Sequence, residues 1–229
     1  MKSAAIAVFV KTPGLSPIKT RLAHSTNSTF AEEFYLRSLR ATEAVVSCAV
    51  KEKGELVPYW VIAEKPGLEY SLWHGFARIW QGDGDLGERF ARVYEELKRR
   101  HDFVIFIGAD SPLLMPRHLW ESYSLLAAPS ALIDNLFVLG RARDGGFYLF
   151  GGGSEISKDV WTSVEYSSAD TAKQLKELLR LLGTTRELEE LPDVDTLGDL
   201  MSLPDDPGAQ AKLLEPQKDL LRWIRQIEK

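Results

Sequence analysis

Residues 4–23 read AAIAVFVKTPGLSPIKTRLA, and the apolar run at 4–10 decides the fold. Its side chains are continuously apolar and do not alternate with polar ones. That pattern marks a strand covered on both faces, the kind found in parallel sheets flanked by helices. The residues that follow change character at once. Pro13, Gly14 and Pro17 keep them from continuing as regular structure, and Lys11, Lys19 and Arg21 load them with positive charge. A buried strand that ends in a basic loop suggests an anion-binding sheet end.

Outward from that stretch, short apolar runs alternate with longer amphipathic ones. VPYWVIA (57–63), ARIWQ (77–81), FVIFIGAD (103–110), ALIDNLFVLG (131–140) and FYLFGG (147–152) read as strands, with TRELEELP (185–192) as a short last one. Residues 30–50 repeat their apolar positions at three and four and predict a helix. DLGERFARVYEELKRR (85–100) predicts another, with Asp85 as cap, Glu88 where a capping box needs it, and Phe90, Val93, Tyr94 and Leu97 as its stripe. Pro116 opens a helix to about Ala127, and residues 169–182 form one closed by Gly183. Alternation of this kind predicts α/β architecture with a mostly parallel central sheet. Its ligands are expected where the loops gather, beyond the carboxyl ends of the strands. The expected domain spans 1–203, and 204–229 are a linker, PDDPG, followed by an amphipathic helix that packs on the domain or joins a homodimer.

Composition narrows the classes. The chain has 229 residues, enough for a sizeable core, and a net charge of −5, which argues against general nucleic-acid binding. Cys48 is the one cysteine, so no internal disulfide forms; with the absence of a signal-like start this predicts a cytoplasmic protein. Cys48 itself sits among apolar neighbours and reads as core. No run reaches the ~18 apolar residues of a membrane span. His24, His74, His101 and His118 are scattered and do not pair at metal-ligand spacing.

Chemistry gathers at four strand ends. In the opening loop, Lys19 and Arg21 lie two apart and in extended chain point the same way, an ammonium and a guanidinium suited to phosphate, with backbone amides near Gly14 turned inward. The loop matches neither the Walker nor the dinucleotide pattern. In GADSP (108–112), Asp110 follows an apolar strand and is placed to hold a hard cation; the plainer alternative is a turn cap. In RARDGGFYLF (141–150), Gly145 and Gly146 permit close backbone approach or simply a tight turn. In PDVDTLGDL (192–200), Asp193, Asp195 and Asp199 crowd a helix start, where capping competes with metal binding.

Five of these segments in order, FVKTPGLSPIKTRLA, QGDGDLGERF, FIGADSPLL, RDGGFYLFG and DVDTLGDL, resemble the small bacterial glycosyltransferase-like (selenodomain-associated transferase) family. That family belongs to the nucleotide-diphospho-sugar transferase superfamily, and the resemblance covers about residues 4–203. It implies the GT-A fold, a three-layer α/β/α arrangement, and a transferase that uses Mg2+ or Mn2+. Lys11, Gly14, Lys19 and Arg21 would bind nucleotide phosphates. Gln81, Gly82, Asp85, Leu86 and Gly87 would lie near the base or sugar. Asp110 would be the main metal ligand and Asp195 the second, with Asp193 or Asp199 as substitutes. Arg141, Asp144, Gly145 and Gly146 would line the acceptor pocket. Two departures fall on the acceptor side: Arg141 stands where the family usually has Pro, and Tyr166 where it usually has Trp.

The expected reaction passes a group from a nucleotide sugar or nucleoside triphosphate to a small-molecule acceptor, with Lys19, Arg21 and Asp110 as the catalytic set. Nucleotidylyl transfer to a small phosphorylated acceptor is the alternative, because one carboxylate, not an Asp-x-Asp pair, follows the central strand. A nucleotide-binding module without turnover is the reading from another class.

Overall fold

A computed structural model describes residues 2–128, 135–203 and 212–227. Its strands are β1 (Ala4–Val10), β2 (Leu56–Ile62), β3 (Ala77–Trp80), β4 (Phe103–Gly108), β5 (Leu136–Arg141), β6 (Phe147–Gly152) and β7 (Thr184–Glu187). They form one sheet in the order β3-β2-β1-β4-β6-β5-β7. β1 pairs parallel with β2 and β4, β2 with β3, and β5 with β7; β6 runs antiparallel to both neighbours, β4 and β5. The helices are α1 (Thr20–Ser25), α2 (Ser28–Glu52), α3 (Leu86–Lys98), α4 (Pro116–Ala127), α5 (Lys158–Thr162), α6 (Thr171–Leu179), α7 (Leu197–Met201) and α8 (Glu215–Ile227).

Burial follows the pleat. Ala4, Ile6, Val8 and Val10 of β1 join the core under α2 and α4, with Leu39, Val46, Leu119 and Leu126. Ala5 and Ala7, with Phe9 packed alongside, join the opposite core under α3, α5 and α6, with Phe90, Tyr94, Trp161 and Leu175. Successive residues of one strand thus serve two cores, which is why the run could not alternate. Each fully buried Ile or Val side chain here contributes roughly 1.5–3 kcal/mol over its exposed state. The layering is the expected α/β/α arrangement.

A third cluster joins Leu22 of α1, Phe34 of α2, Val194, Leu200 of α7 and Leu220, Leu221 and Ile224 of α8. The terminal helix therefore packs on its own domain through Leu220, Leu221 and Ile224. Residues 131–134 of the expected fifth strand and the PDDPG linker lie outside the described residues. Cys48 departs from expectation: it is half-buried on α2, not a core residue.

With only β6 reversed, the carboxyl ends of the other strands meet at one edge of the sheet. The loops after β1, β3, β4 and β7 and the β5–β6 turn gather there. Among the described residues, no helix is long and apolar enough to cross a membrane.

Candidate functional site

Two anchors shape the edge. Tyr35 of α2 accepts the Lys11 N–H at 3.0 Å and donates its hydroxyl to the Lys11 carbonyl at 2.8 Å, which clamps the start of the basic loop. Burial pushes the Tyr35 phenol well above its ordinary range. The Val194 N–H donates to the Asp110 carbonyl at 3.1 Å. That one bond draws residues 193–195 beside the end of β4, across a separation no sequence pattern reveals.

The basic loop is not extended, as the sequence reading supposed. Lys19 caps α1 in left-handed conformation (φ 43°, ψ 53°), and Arg21 lies within the helix. That backbone state costs a non-glycine residue roughly 1–2 kcal/mol. It turns the Lys19 ammonium between two carboxylates, 3.1 Å from Asp110 Oδ1 and 3.0 Å from Asp195 Oδ1. Arg21 reaches Asp195 Oδ2 at 3.2 Å. The Lys19 side chain is only 5% exposed, against 47% for Asp110 and 37% for Asp195. Burial alone would lower the Lys19 pKa, but the carboxylates of Asp110 and Asp195 outweigh it and hold the ammonium above its usual range. Burial likewise favours protonated Asp195, yet Lys19 and then Arg21 reverse the balance and keep it ionised below the ordinary carboxylate range.

A cleft of about 900 Å³ opens over this trio. Of the residues singled out in the sequence, Lys11, Lys19, Arg21 and Gln81 line it. So do Leu86, Asp110, Asp144 and Asp195. Gln81 is buried and spends its amide N–H groups on the Val10 and Val61 carbonyls, so its oxygen is left toward Arg89. Gly146 borders an adjoining chamber of about 250 Å³.

The other predicted residues lie outside the cleft's lining. Gly14 (φ +83°) makes a turn over Thr12 whose Cβ direction meets open space. Gly82 (φ +91°) packs under the Arg92 side chain. Asp85 caps α3, accepting the Glu88 N–H at 2.9 Å, and Gly87 gives α3 room against the Trp161 carbonyl of α5. Arg141 is exposed at the end of β5. Gly145 (φ +92°) lies against the Ala169 backbone, where a Cβ would collide with the Ala169 carbonyl. Asp199 does not face the carboxylate pair. It accepts the Asp195 and Thr196 N–H groups and completes the capping box of α7.

Sequence reasoning missed Arg89 at the cleft and the Ser167–Ser168 pair that borders both cavities. The serines lie just before Ala169 and Asp170, which lead into α6, and a polar doublet shortly ahead of a helix was the signal available. Ser167 holds a positive φ of 61°. Asp193 was read only as a possible substitute ligand, but it borders the chamber, and burial, then Asp144, raise its pKa to about 6. None of the four histidines lines either cavity. His118 is fully buried; it accepts the Met115 N–H and meets Glu189 at 2.6 Å, so the neutral tautomer with Nε2–H serves both, in keeping with its lowered pKa, which burial causes.

Asp110 keeps one oxygen without a protein donor among the described residues, and it is half-exposed in the cleft. No group of three or more metal-ligating side chains occurs among those residues. One or two carboxylates, completed by phosphate oxygens and water, is nonetheless a sufficient protein contribution for Mg2+. The donor set fits a cation delivered with a nucleotide better than one held by protein alone.

The family described as "Uncharacterized protein conserved in bacteria (DUF2064)" matches residues 45–168. Among solved structures, a "putative nucleotide-diphospho-sugar transferase" from Desulfovibrio desulfuricans G20 is 22% identical, with a TM-score of 0.80 over 99% of this chain and 98% of that one. The 4-diphosphocytidyl-2C-methyl-D-erythritol synthase of Anaerococcus prevotii is 10% identical, with a TM-score of 0.51 over 87% of this chain and 95% of that one. The bifunctional IspDF of Campylobacter jejuni is 11% identical, with a TM-score of 0.52 over 88% of this chain and 54% of that one. No curated protein matches the sequence. The chain therefore has the nucleotide-diphospho-sugar transferase fold.

Proposed function

The chain belongs to the bacterial family DUF2064, and from that premise we propose that it is a metal-dependent transferase acting on a nucleotide-diphospho substrate. The observation that carries the reading is the meeting of Lys19, Arg21, Asp110 and Asp195 in one cleft at the carboxyl edge of the sheet. Phosphate groups of a nucleotide lie against Lys11, Lys19 and Arg21. Asp110, with Asp195 beside it, holds Mg2+ or Mn2+. That ion, when bound, offsets negative charge growing on the leaving pyrophosphate or nucleoside diphosphate.

Each residue has a separable task. Arg21 is 67% exposed and offers an accessible fork for phosphate oxygens. Lys19 is fixed and nearly buried, so its charge is pre-positioned. Its ammonium neutralises the carboxylates until phosphate arrives and then shares its hydrogen bonds with it. Gln81 and Arg89, which also line the cleft, bound the base or sugar.

Nucleotidylyl transfer is the second reading. It is favoured by the single carboxylate after β4 and by three cations at the first loop, more than a diphosphate alone requires.

The test is thermal melting with Mg2+, with each nucleoside triphosphate or nucleotide sugar, and with both. Metal and one nucleotide together raise Tm by roughly 5–10 °C at a hundredfold excess over Kd, and neither does so alone. No shift with any combination contradicts the reading. A shift without release of pyrophosphate or nucleoside diphosphate, with any acceptor, reduces it to a binding module.

A further inference from the structure

The smaller chamber adjoins the main cleft and shares part of its lining, Asp110, Asp144 and Asp195 included, but the two differ in charge. The cleft has four cationic side chains, Lys11, Lys19, Arg21 and Arg89; the chamber has none. Asp144 and Asp193 border it, and neither has an ion-pair partner among the described residues. Its remaining wall is aromatic, with the half-buried rings of Phe9, Phe147 and Tyr166. Apart from the Ser167 and Ser168 hydroxyls, the polar groups of that wall are already spent. Tyr166 donates its hydroxyl to the Trp161 carbonyl at 2.9 Å, and Tyr148 donates to the Glu189 carbonyl at 2.9 Å. The Gly146 N–H goes to Asp144 Oδ1 at 2.8 Å, and Thr171 donates to the Glu165 and Ser168 carbonyls.

A phosphate ester placed here would meet unpaired carboxylates, no cationic side chain, and only the two serine hydroxyls as free side-chain donors. Aromatic rings beside carboxylates instead favour a cation, through the ring quadrupole and through charge complementarity. We infer that this chamber receives the acceptor and that the acceptor is a small amine-bearing alcohol, primary or quaternary, and not a phosphate ester. The inference rests on the transferase reading for the chamber's role, but the chemistry of its lining is tested without nucleotide.

Saturation-transfer NMR on the full chain is run with choline, ethanolamine, glycerol and glycerol 3-phosphate at equal concentration. The two amines are expected to show transfer at least threefold above glycerol and glycerol 3-phosphate. Asp144→Asn and Asp193→Asn, each shown to be folded by its melting transition, are expected to lose most of the choline signal. Glycerol 3-phosphate binding as well as choline, equal signals for glycerol and choline, or choline transfer surviving in both variants overturns the inference. Any of these leaves the nucleotide-melting experiment untouched, so the two readings fail separately.

Discussion

Lys19 joins two carboxylates that belong to different loops, and its removal tests how much they depend on it. Lys19→Ala leaves Asp110 and Asp195 side by side, with Arg21 as their one remaining cation contact. Because both carboxylates are over a third exposed, the cost is set well below that of a fully buried pair, at about 1–2 kcal/mol by urea unfolding. Without the ammonium, Mn2+ alone should raise the variant's Tm more than that of the native protein; an equal response means the two carboxylates do not bind cations as a pair. Asp193 has a different signature. Its folded pKa is raised toward 6, so the folded state holds a proton that the unfolded state releases near 3.8, and stability is lost as pH rises from there through about 6. Asp193→Asn should therefore stabilise at pH 8, on the order of 1 kcal/mol after allowance for partial exposure, and the gap should narrow as pH falls below about 6 and close only near the unfolded value of 3.8. At this scale the charged residues after apolar runs were legible: Lys19, Arg21, Asp110 and Asp195 converge. The left-handed backbone of Lys19 was not, since a lysine has no local signal for it.

Among the elements, the long ones announced themselves and the short ones did not. The stripe and capping box of α3 were readable because a dozen residues repeat one pattern; α1, α5 and α7 span five or six residues each, too few for periodicity to show. Asp85 and Gly87, which the family resemblance puts near the nucleotide, serve α3 here as its cap and as the glycine packed against the Trp161 carbonyl. Asp85→Ala should cost about 1 kcal/mol of stability, measured by urea unfolding, and change nucleotide affinity less than threefold. A larger loss of affinity than of stability would return Asp85 to the binding site. Gly145 holds the β5–β6 turn against the loop before α6, and the Ala172 N–H donates to its carbonyl at 2.9 Å. Gly145→Ala meets both a positive φ and a backbone collision, so a loss of about 3 kcal/mol is expected. A near-neutral effect would show that the turn can move away from α6.

At the scale of the whole molecule, the sheet fixes which loops meet, and α8 secures one of them. Gln217 is buried and donates its amide to the Pro112 and Leu114 carbonyls at 2.8 Å each, bracing the loop that carries Asp110. Gln217→Leu keeps most of the volume but leaves both carbonyls unpaired, at a cost of about 2 kcal/mol in urea unfolding. Parallel topology was legible in the continuous apolar runs; the reversal of β6 was not, because a strand buried on both faces reads alike in either direction. The bond from Val194 to Asp110, which closes the site, is a product of that topology and has no local code. The most direct test of the account is a crystal of the protein grown with Mn2+ and whichever nucleotide raises its melting point. The anomalous signal of manganese should lie at Asp110, with nucleotide phosphates against Lys19 and Arg21. Nucleotide bound away from the carboxyl edge of the sheet, or manganese held without Asp110, would contradict it.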